Sequence, residues 1–534
     1  MEPFDTQPSP DTTVEPTQPT VPPRISILTG PPAASVAPAL PGQWLQDQPY
    51  GASAHAPYAV AGASRGGGWK RFLLPILVIA MLAGGAAVLF RDKLFPQKSV
   101  PTYPTEWDPR VAPIADFVGT ERDLQWLHPV YVDFLTEAEF VALFSQPTPA
   151  MSDDDEAAAR TSSLLYDAFG LAVNYDPTQG ESTVSAATTL GFYSPTSDRV
   201  TVRGEQLTPA VRVVLAHELT HALQAQHFDL AVGGDNDFEL RSVVEADALR
   251  VEGAYIDTLS TAEQAAANQA NSLAPDAAQG LADVPWAVVE KRYAPYVLGP
   301  ILVGDVFAAE GNEGINQLIR TPPTEEILLN PWLYGDPGQA PLAVAVEVPL
   351  GNAVIDEPQL FSQLDALVML DAWLPWTQAR QALDGWADSG YTSYQRESTV
   401  CFTATVTFDE SADRFAAAIT AWAKASGSSA NPIIIVNDVT FEACNRGAGA
   451  MEPVTPVISP LQALQVEHDA VSRAGRGASP GEIEKYRCFA RTMIDDPLLA
   501  PLLFENTLTT DELALFTWQS TIAANECDVP PPTP

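Results

Sequence analysis

The sequence is poor in cations, cysteine and histidine. Its 534 residues hold 28 Lys and Arg against 67 Asp and Glu, which leaves a formal charge of −39 with the six histidines neutral. So acidic a chain repels phosphate backbones, and no Lys/Arg-rich stripe interrupts it, so nucleic acid is excluded as a partner. The four cysteines form no C-x-x-C pair, which excludes cysteine-ligated zinc modules and thioredoxin-type redox centres. Nor does any segment repeat at the periods of solenoids or propellers. Proline, by contrast, is in excess at 48 residues, while the hydrophobic fraction of 46% is ordinary for globular protein. The prolines must therefore be gathered in particular segments of a chain long enough for two or three folded units.

The first such segment is 1–68, rich in proline, poor in large apolar residues and without periodicity, so it cannot offset its ordering entropy and is expected to be a disordered tail. Residues 69–91 are expected to form a transmembrane helix. The nineteen residues 72–90 carry no charge, and at about 1.5 Å per residue they span the hydrocarbon core of a bilayer. A cleaved signal peptide does not fit, because so long a stretch precedes the apolar run. Basic residues flank the run equally on both sides, so orientation must come from elsewhere.

The cysteines supply it. Cys401 and Cys444 lie in alternating apolar/polar runs and fall on the polar faces of two strands. Cys488 lies near the start of a helix over about 480–495, and Cys527 ends one over about 510–527. Antiparallel packing of these helices brings the two together. The expected pairs are Cys401 with Cys444 and Cys488 with Cys527. Disulfides need an oxidising compartment, which puts the C-terminal part outside and the tail in the cytoplasm. The ectodomain is then expected to comprise a linker (92–112), an α+β domain (113–340), a small α+β module (341–446), a second linker (447–479) and a disulfide-closed helical hairpin (480–534).

Chemistry concentrates in one place. Thr208 as N-cap and Pro209 in the first helical position open a helix that runs into His217-Glu218-Leu219-Thr220-His221, an H-E-x-x-H sequence. Residues four apart share a helix face, so both imidazoles can reach one ion while Glu218 sits beside its water as general base. Leu215, Leu219, Ala222 and Leu223 form a separate apolar face that leaves the histidines free to look into a cleft. A zinc site of this kind needs a third protein ligand. His227 would complete a metzincin pattern, but that pattern requires a glycine where this chain has Gln224. The alternative is Glu245, inside a helix that begins with an Asn236/Glu239 capping box. Glu252, one heptad on, is its backup, while Asp247 points elsewhere. Arg241 is the bland partner for Glu245, at i−4.

The run His217 to Leu230, with Glu245-Ala246-Asp247-Ala248 downstream, resembles the gluzincin-type zinc metallopeptidases of bacterial cell envelopes, whose pattern is H-E-L-T-H-A-L-Q-D-Q-H-F followed by E-G-D-A. Gly191-Phe192-Tyr193, Pro322-Pro323-Thr324-Glu325-Glu326-Ile327-Leu328 and Gly385-Trp386 extend the likeness over roughly 113–425. The resemblance implies a zincin-like fold, Zn2+ held by His217, His221 and Glu245, Glu218 as catalytic base, and a 191–202 hairpin that pairs with an extended peptide. Three positions depart from it: Ala225 replaces an aspartate, Ala246 a glycine, and Asn330 a histidine.

The expected protein is thus a single-pass membrane protein whose external domain hydrolyses peptide or protein substrates. A catalytically inactive zincin-fold binding module, or an envelope adaptor, is the alternative. Of the remaining histidines, His128 is expected to be structural, and His55 and His468 to lie in mobile regions. No oxyanion-stabilising residue can be chosen among Tyr255, Tyr293, Tyr296 and Tyr334.

Overall fold

The computed structural model describes residues 103–144, 153–177, 180, 189–228, 230, 238–271, 284–335, 353–355, 359–409, 411–447, 449–475, 477–505 and 508–531. The tail, the apolar run at 69–91, His55, Asn236 and most of the 92–112 linker lie outside them. Among the described residues no helix is long and apolar enough to cross a membrane. What is described is an α+β protein with two sheets.

The first part begins with α1 (Ala112–Arg122), β1 (Tyr131–Leu135), α2 (Glu137–Phe144) and α3 (Asp153–Ala168). The strands β2 (Gly191–Ser194) and β3 (Arg199–Arg203) complete a three-stranded sheet of order β1-β3-β2, in which β1 runs parallel and β2 antiparallel to β3. Against it lies α4 (Pro209–His227), whose Leu215, Leu219, Ala222 and Leu223 are fully buried, as their spacing requires. The second helix of the pair is α5 (Phe238–Asp257), followed by α6 (Thr261–Asn271), the long α7 (Trp286–Arg320) and the short α8 (Glu325–Leu329). α7 carries Pro295 and Pro300 inside it, bends at Gly311 and packs along α5. The close approach needs Gly299, because a Cβ there would come within 2.0 Å of the Ser242 carbonyl oxygen and 3.0 Å of the Ala246 methyl. The small residue that lets the two helices touch is thus on α7, opposite Ala246.

The second sheet is antiparallel, of order β4-β5-β6-β8-β7, from β4 (Ala353–Val354), β5 (Trp386–Arg396), β6 (Thr399–Phe408), β7 (Ile433–Ile435) and β8 (Asp438–Cys444). Between its strands run α9 (Gln363–Asp371), α10 (Trp376–Gln381) and α11 (Asp413–Ser426), so the unit is α+β as expected. Phe402, Phe408 and Phe441 meet Phe415 and Trp422 of α11 in a nearly continuous aromatic core. Cys401 stands opposite Cys444 in the β6–β8 register, and the two are bonded. Cys401 is completely buried and Cys444 half-buried, so the polar face they share is largely covered.

Residues 447–479, expected as a linker, contain the helix α12 (Pro460–Ser472), which opens with a capping box made by Ser459 and Gln462. In the sequence the proline, serine and glycine on either side of it read as loop. His468 therefore sits within a helix, close to Asp305 of α7, and not in a mobile segment. The hairpin of α13 (Pro480–Asp495) and α14 (Thr510–Glu526) forms as predicted and carries the Cys488–Cys527 bond. One hydrophobic core runs from α5 and α7 through the second sheet to α14, and a second core lies between the first sheet, α1 and α4.

Candidate metal centre

Helices α4 and α5 carry the site. The Val211 N–H donates to Thr208 Oγ1 at 3.3 Å and Pro209 takes the first turn, which fixes where α4 starts and which face His217 and His221 occupy. The two Nε2 atoms lie 3.1 Å apart. Glu245 reaches them from α5, with Oε2 at 3.5 Å from His217 Nε2 and 3.3 Å from His221 Nε2. An ion bound tetrahedrally at about 2.0–2.1 Å from nitrogen and oxygen ligands separates them by about 3.3 Å. The three donor atoms already have that spacing, so His217, His221 and Glu245 can hold a metal ion. His227 is turned away, with Nε2 at 2.7 Å from the Gln125 carbonyl oxygen.

Each imidazole is gripped from behind. Glu252 Oε2 lies 3.0 Å from His217 Nδ1, so the residue considered as a substitute ligand instead orients one. Behind His221 is Gln224, fully buried, whose Nε2 donates to the Val244 carbonyl at 3.0 Å and to Asp247 Oδ2 at 2.8 Å. Both partners accept only, so the amide nitrogen must face them and Oε1 must face His221 Nδ1, 3.0 Å away. His221 therefore carries a proton on Nδ1, which leaves Nε2 as the atom that a metal would take. Asp247 is in turn paired with Arg122 of α1 at 2.7 Å, both side chains being fully buried, and Arg122 donates to Asn312 and Asn316 of α7 at 2.9 Å each. Glutamine at 224 thus does work that a metzincin glycine could not.

Glu245 turns its other oxygen to α7, where the Tyr296 hydroxyl donates to Oε1 at 2.9 Å, and Arg241 Nε lies 3.7 Å from the same atom. The i−4 pair coexists with the metal-facing role. Of the four tyrosines considered, Tyr296 is the one against the ligands; Tyr255 packs on Phe117 in the other core. Burial alone would raise the Glu245 pKa, but His221, His217 and Arg241 outweigh it and hold the carboxyl well below the usual range. Burial opposes charge on His217 too, yet Glu245 and Glu252 raise it well above an ordinary imidazole, and His221 is raised by Glu245. The site therefore demands positive charge, which two protons or a cation can satisfy. Glu218 is raised by burial, partly offset by the imidazoles.

Strand β2 passes directly over Glu218. A Cβ on Gly191 would come within 3.1 Å of Glu218 Cγ and 2.7 Å of Val214 Cγ1, so only glycine lets the strand lie this close to the helix. Of the three departures, Ala246 is matched by Gly299, and Asn330 lies away from the site, where it bonds Arg380 and the Glu326 carbonyl. The sequence alone does not assign Gln224 or Arg122 to the site, and it offers Tyr296 only as one of four tyrosines for a different role. Gln224 was legible in hindsight from its i+3 spacing to His221, whereas Tyr296 and Arg122 come from distant segments with no local signature.

No family model matches the chain, and no curated protein or solved structure matches it.

Proposed function

We propose that this protein is a membrane-anchored, extracytoplasmic zinc metallopeptidase that hydrolyses peptide bonds, as its likeness to gluzincin-type enzymes implies. The observation that carries the proposal is the closure of Glu245 onto the two Nε2 atoms, from another helix and 24 residues beyond His221. Two imidazoles and a carboxylate are a zinc donor set with a position left for water. Zinc, if held there by His217, His221 and Glu245, would supply Lewis acidity and lower the pKa of a bound water. The protein's own groups do the rest. Glu252 and Gln224 keep both Nε2 lone pairs directed at one point. Glu218, raised by burial, takes a proton from the attacking water as the C–O bond forms and delivers it to the amine nitrogen as the C–N bond breaks. The edge strand β2 offers backbone groups for an extended substrate.

The test is metal analysis of the full-length protein with three variants. About one zinc per chain is expected in the wild type. Glu245→Ala should weaken binding and His227→Ala should not; the reverse pattern refutes the ligand set. Glu218→Gln should retain metal but cut peptides about 10²- to 10⁴-fold more slowly. A wild type that holds zinc and cleaves nothing across a broad peptide library is a binding module.

A further inference from the structure

Tyr296, which donates to Glu245, is itself met by two cations. Arg241 and Arg292 flank the same ring, with their guanidinium carbons 5.8 Å and 5.9 Å from the Tyr296 centroid, and Arg292 stands one turn before Tyr296 on α7. The two arginines differ in what neutralises them. Arg241 has Glu245 at 3.7 Å. Arg292 has no carboxylate among the described residues. Its Nη1 is shielded from solvent with no hydrogen-bond partner, while Nε and Nη2 are unbonded and unshielded. Two other described cations, Arg160 and Lys424, also lack a carboxylate, but both are exposed.

An unpaired, partly desolvated guanidinium is costly, and this chain has 67 carboxylates to 28 cations with which to neutralise it. The free Nε–Nη2 edge is the fork that matches a carboxylate in a bidentate pair. Because the Tyr296 ring bridges it to Glu245, the guanidinium lies within roughly 12 Å of Glu245 Oε1, a distance covered by about three residues of extended peptide. An anionic group approaches this protein against its overall charge, so its capture depends on a contact at short range.

We propose that Arg292 determines specificity by binding a carboxylate of the peptide substrate, within about three residues of the bond that is cut. This rests on the cleft being a peptide site. The carboxylate belongs either to an acidic side chain or to the end of the peptide chain.

Fluorescence anisotropy on the full-length, zinc-loaded protein separates these. The probes are labelled Ala/Leu-based peptides of one sequence with an internal Glu or Gln, and with a free or amidated C-terminus. The wild type should bind at least one carboxylate-bearing peptide about tenfold or more tightly than the neutral one. The version that keeps this preference identifies the source. Arg292→Gln should abolish the preference, Arg292→Lys should restore part of it, and Lys424→Gln should leave it unchanged. Zinc content in the same samples shows that the variants have kept the site. Equal binding of all four peptides by the wild type, binding of none, or a preference that survives Arg292→Gln overturns the proposal. Cleavage is scored separately: a protein that selects carboxylates and cuts nothing refutes the peptidase reading and leaves the Arg292 site intact.

Discussion

Replacing Gln224 by leucine tests how His221 is held. The amide is completely buried and satisfies three groups at once, His221 Nδ1 through Oε1 and the Val244 carbonyl and Asp247 through Nε2. Leucine fills nearly the same volume, so no large cavity is expected, but two buried acceptors each lose a donor. Each keeps another partner, Asp247 its pair with Arg122 and Val244 its helical N–H, so the loss is that of the bonds themselves: about 0.5–1.5 kcal/mol for the carbonyl and about 1.5–3 kcal/mol for the carboxylate, or about 2–4 kcal/mol in the metal-free protein. The effect on the metal has a different origin. Without an acceptor at Nδ1, His221 can protonate Nε2 instead and swing about χ2, and loss of such a partner weakens metal binding about 10- to 100-fold. Competition with a chromophoric zinc chelator at neutral pH measures the second effect, and urea unfolding of the metal-free form measures the first. Gln224→Glu separates them further: it keeps an acceptor for His221 but puts a second carboxylate against Asp247, so it should bind metal better than the leucine variant while being less stable than wild type. Zinc affinity of Gln224→Leu within twofold of wild type would refute the orienting role.

Two further perturbations address the frame around the site. Glu290 of α7 accepts from the Leu461 N–H at the start of α12, and Glu325 of α8 accepts from Gln363 and Leu364 N–H at the start of α9. Burial pushes each up to about 7, the hydrogen bonds from Ser459 and Leu461 resisting for Glu290, and Glu239 and Asp365 adding repulsion for Glu325. An acid with a raised native pKa binds more protons folded than unfolded, so stability is greatest at low pH and falls as pH rises from about 4.5 to 7, by up to about 3 kcal/mol for each group. Thermal melts across that window should show the fall, and Glu290→Gln with Glu325→Gln should flatten it; an unchanged slope would refute the assignment. Glu467 is completely buried among Arg380, Arg487 and Arg491, which hold it at about 2 against the effect of burial. Glu467→Leu leaves the buried Arg380 without a carboxylate, and Arg487 and Arg491 with Asp384 and Glu484 alone, and should cost about 3–5 kcal/mol in urea unfolding, whereas a loss under 1 kcal/mol would show that Asp384 and Glu484 suffice.

The parts of this protein legible in the sequence are those with a short period or a local signature. The α4 start could be read from Thr208-Pro209, its buried face from Leu215, Leu219 and Leu223, and its metal face from the spacing of His217 and His221. The Cys401–Cys444 pair followed from alternation along two strands. Glu245 needed an argument about an isolated carboxylate in an apolar helix, and the structure brings it to the histidines. What was not legible depends on segments far apart in the chain. Nothing near Arg122 announces that Asp247 lies beside it, and nothing near Tyr296 points to Glu245. The α12 helix was missed for a different reason: its capping residues are also turn residues, and only Leu461, Leu464 and Val466 packing into the core makes them a helix start.

Helix α7 has a consequence for how the molecule comes apart. It supports the metal ligands through Tyr296, holds Arg122 through Asn312 and Asn316, meets α12 through Glu290, and contributes Leu298, Leu302 and Val306 to the core shared with the second sheet. Parts that lean on one beam cannot melt independently, so unfolding should be a single cooperative event across the two sheets. Metal captured by α4 and α5 would then slow amide hydrogen exchange in α12 and α13, helices that contribute no ligand, and the free energy of that protection would report the occupancy of a site on the other side of α7.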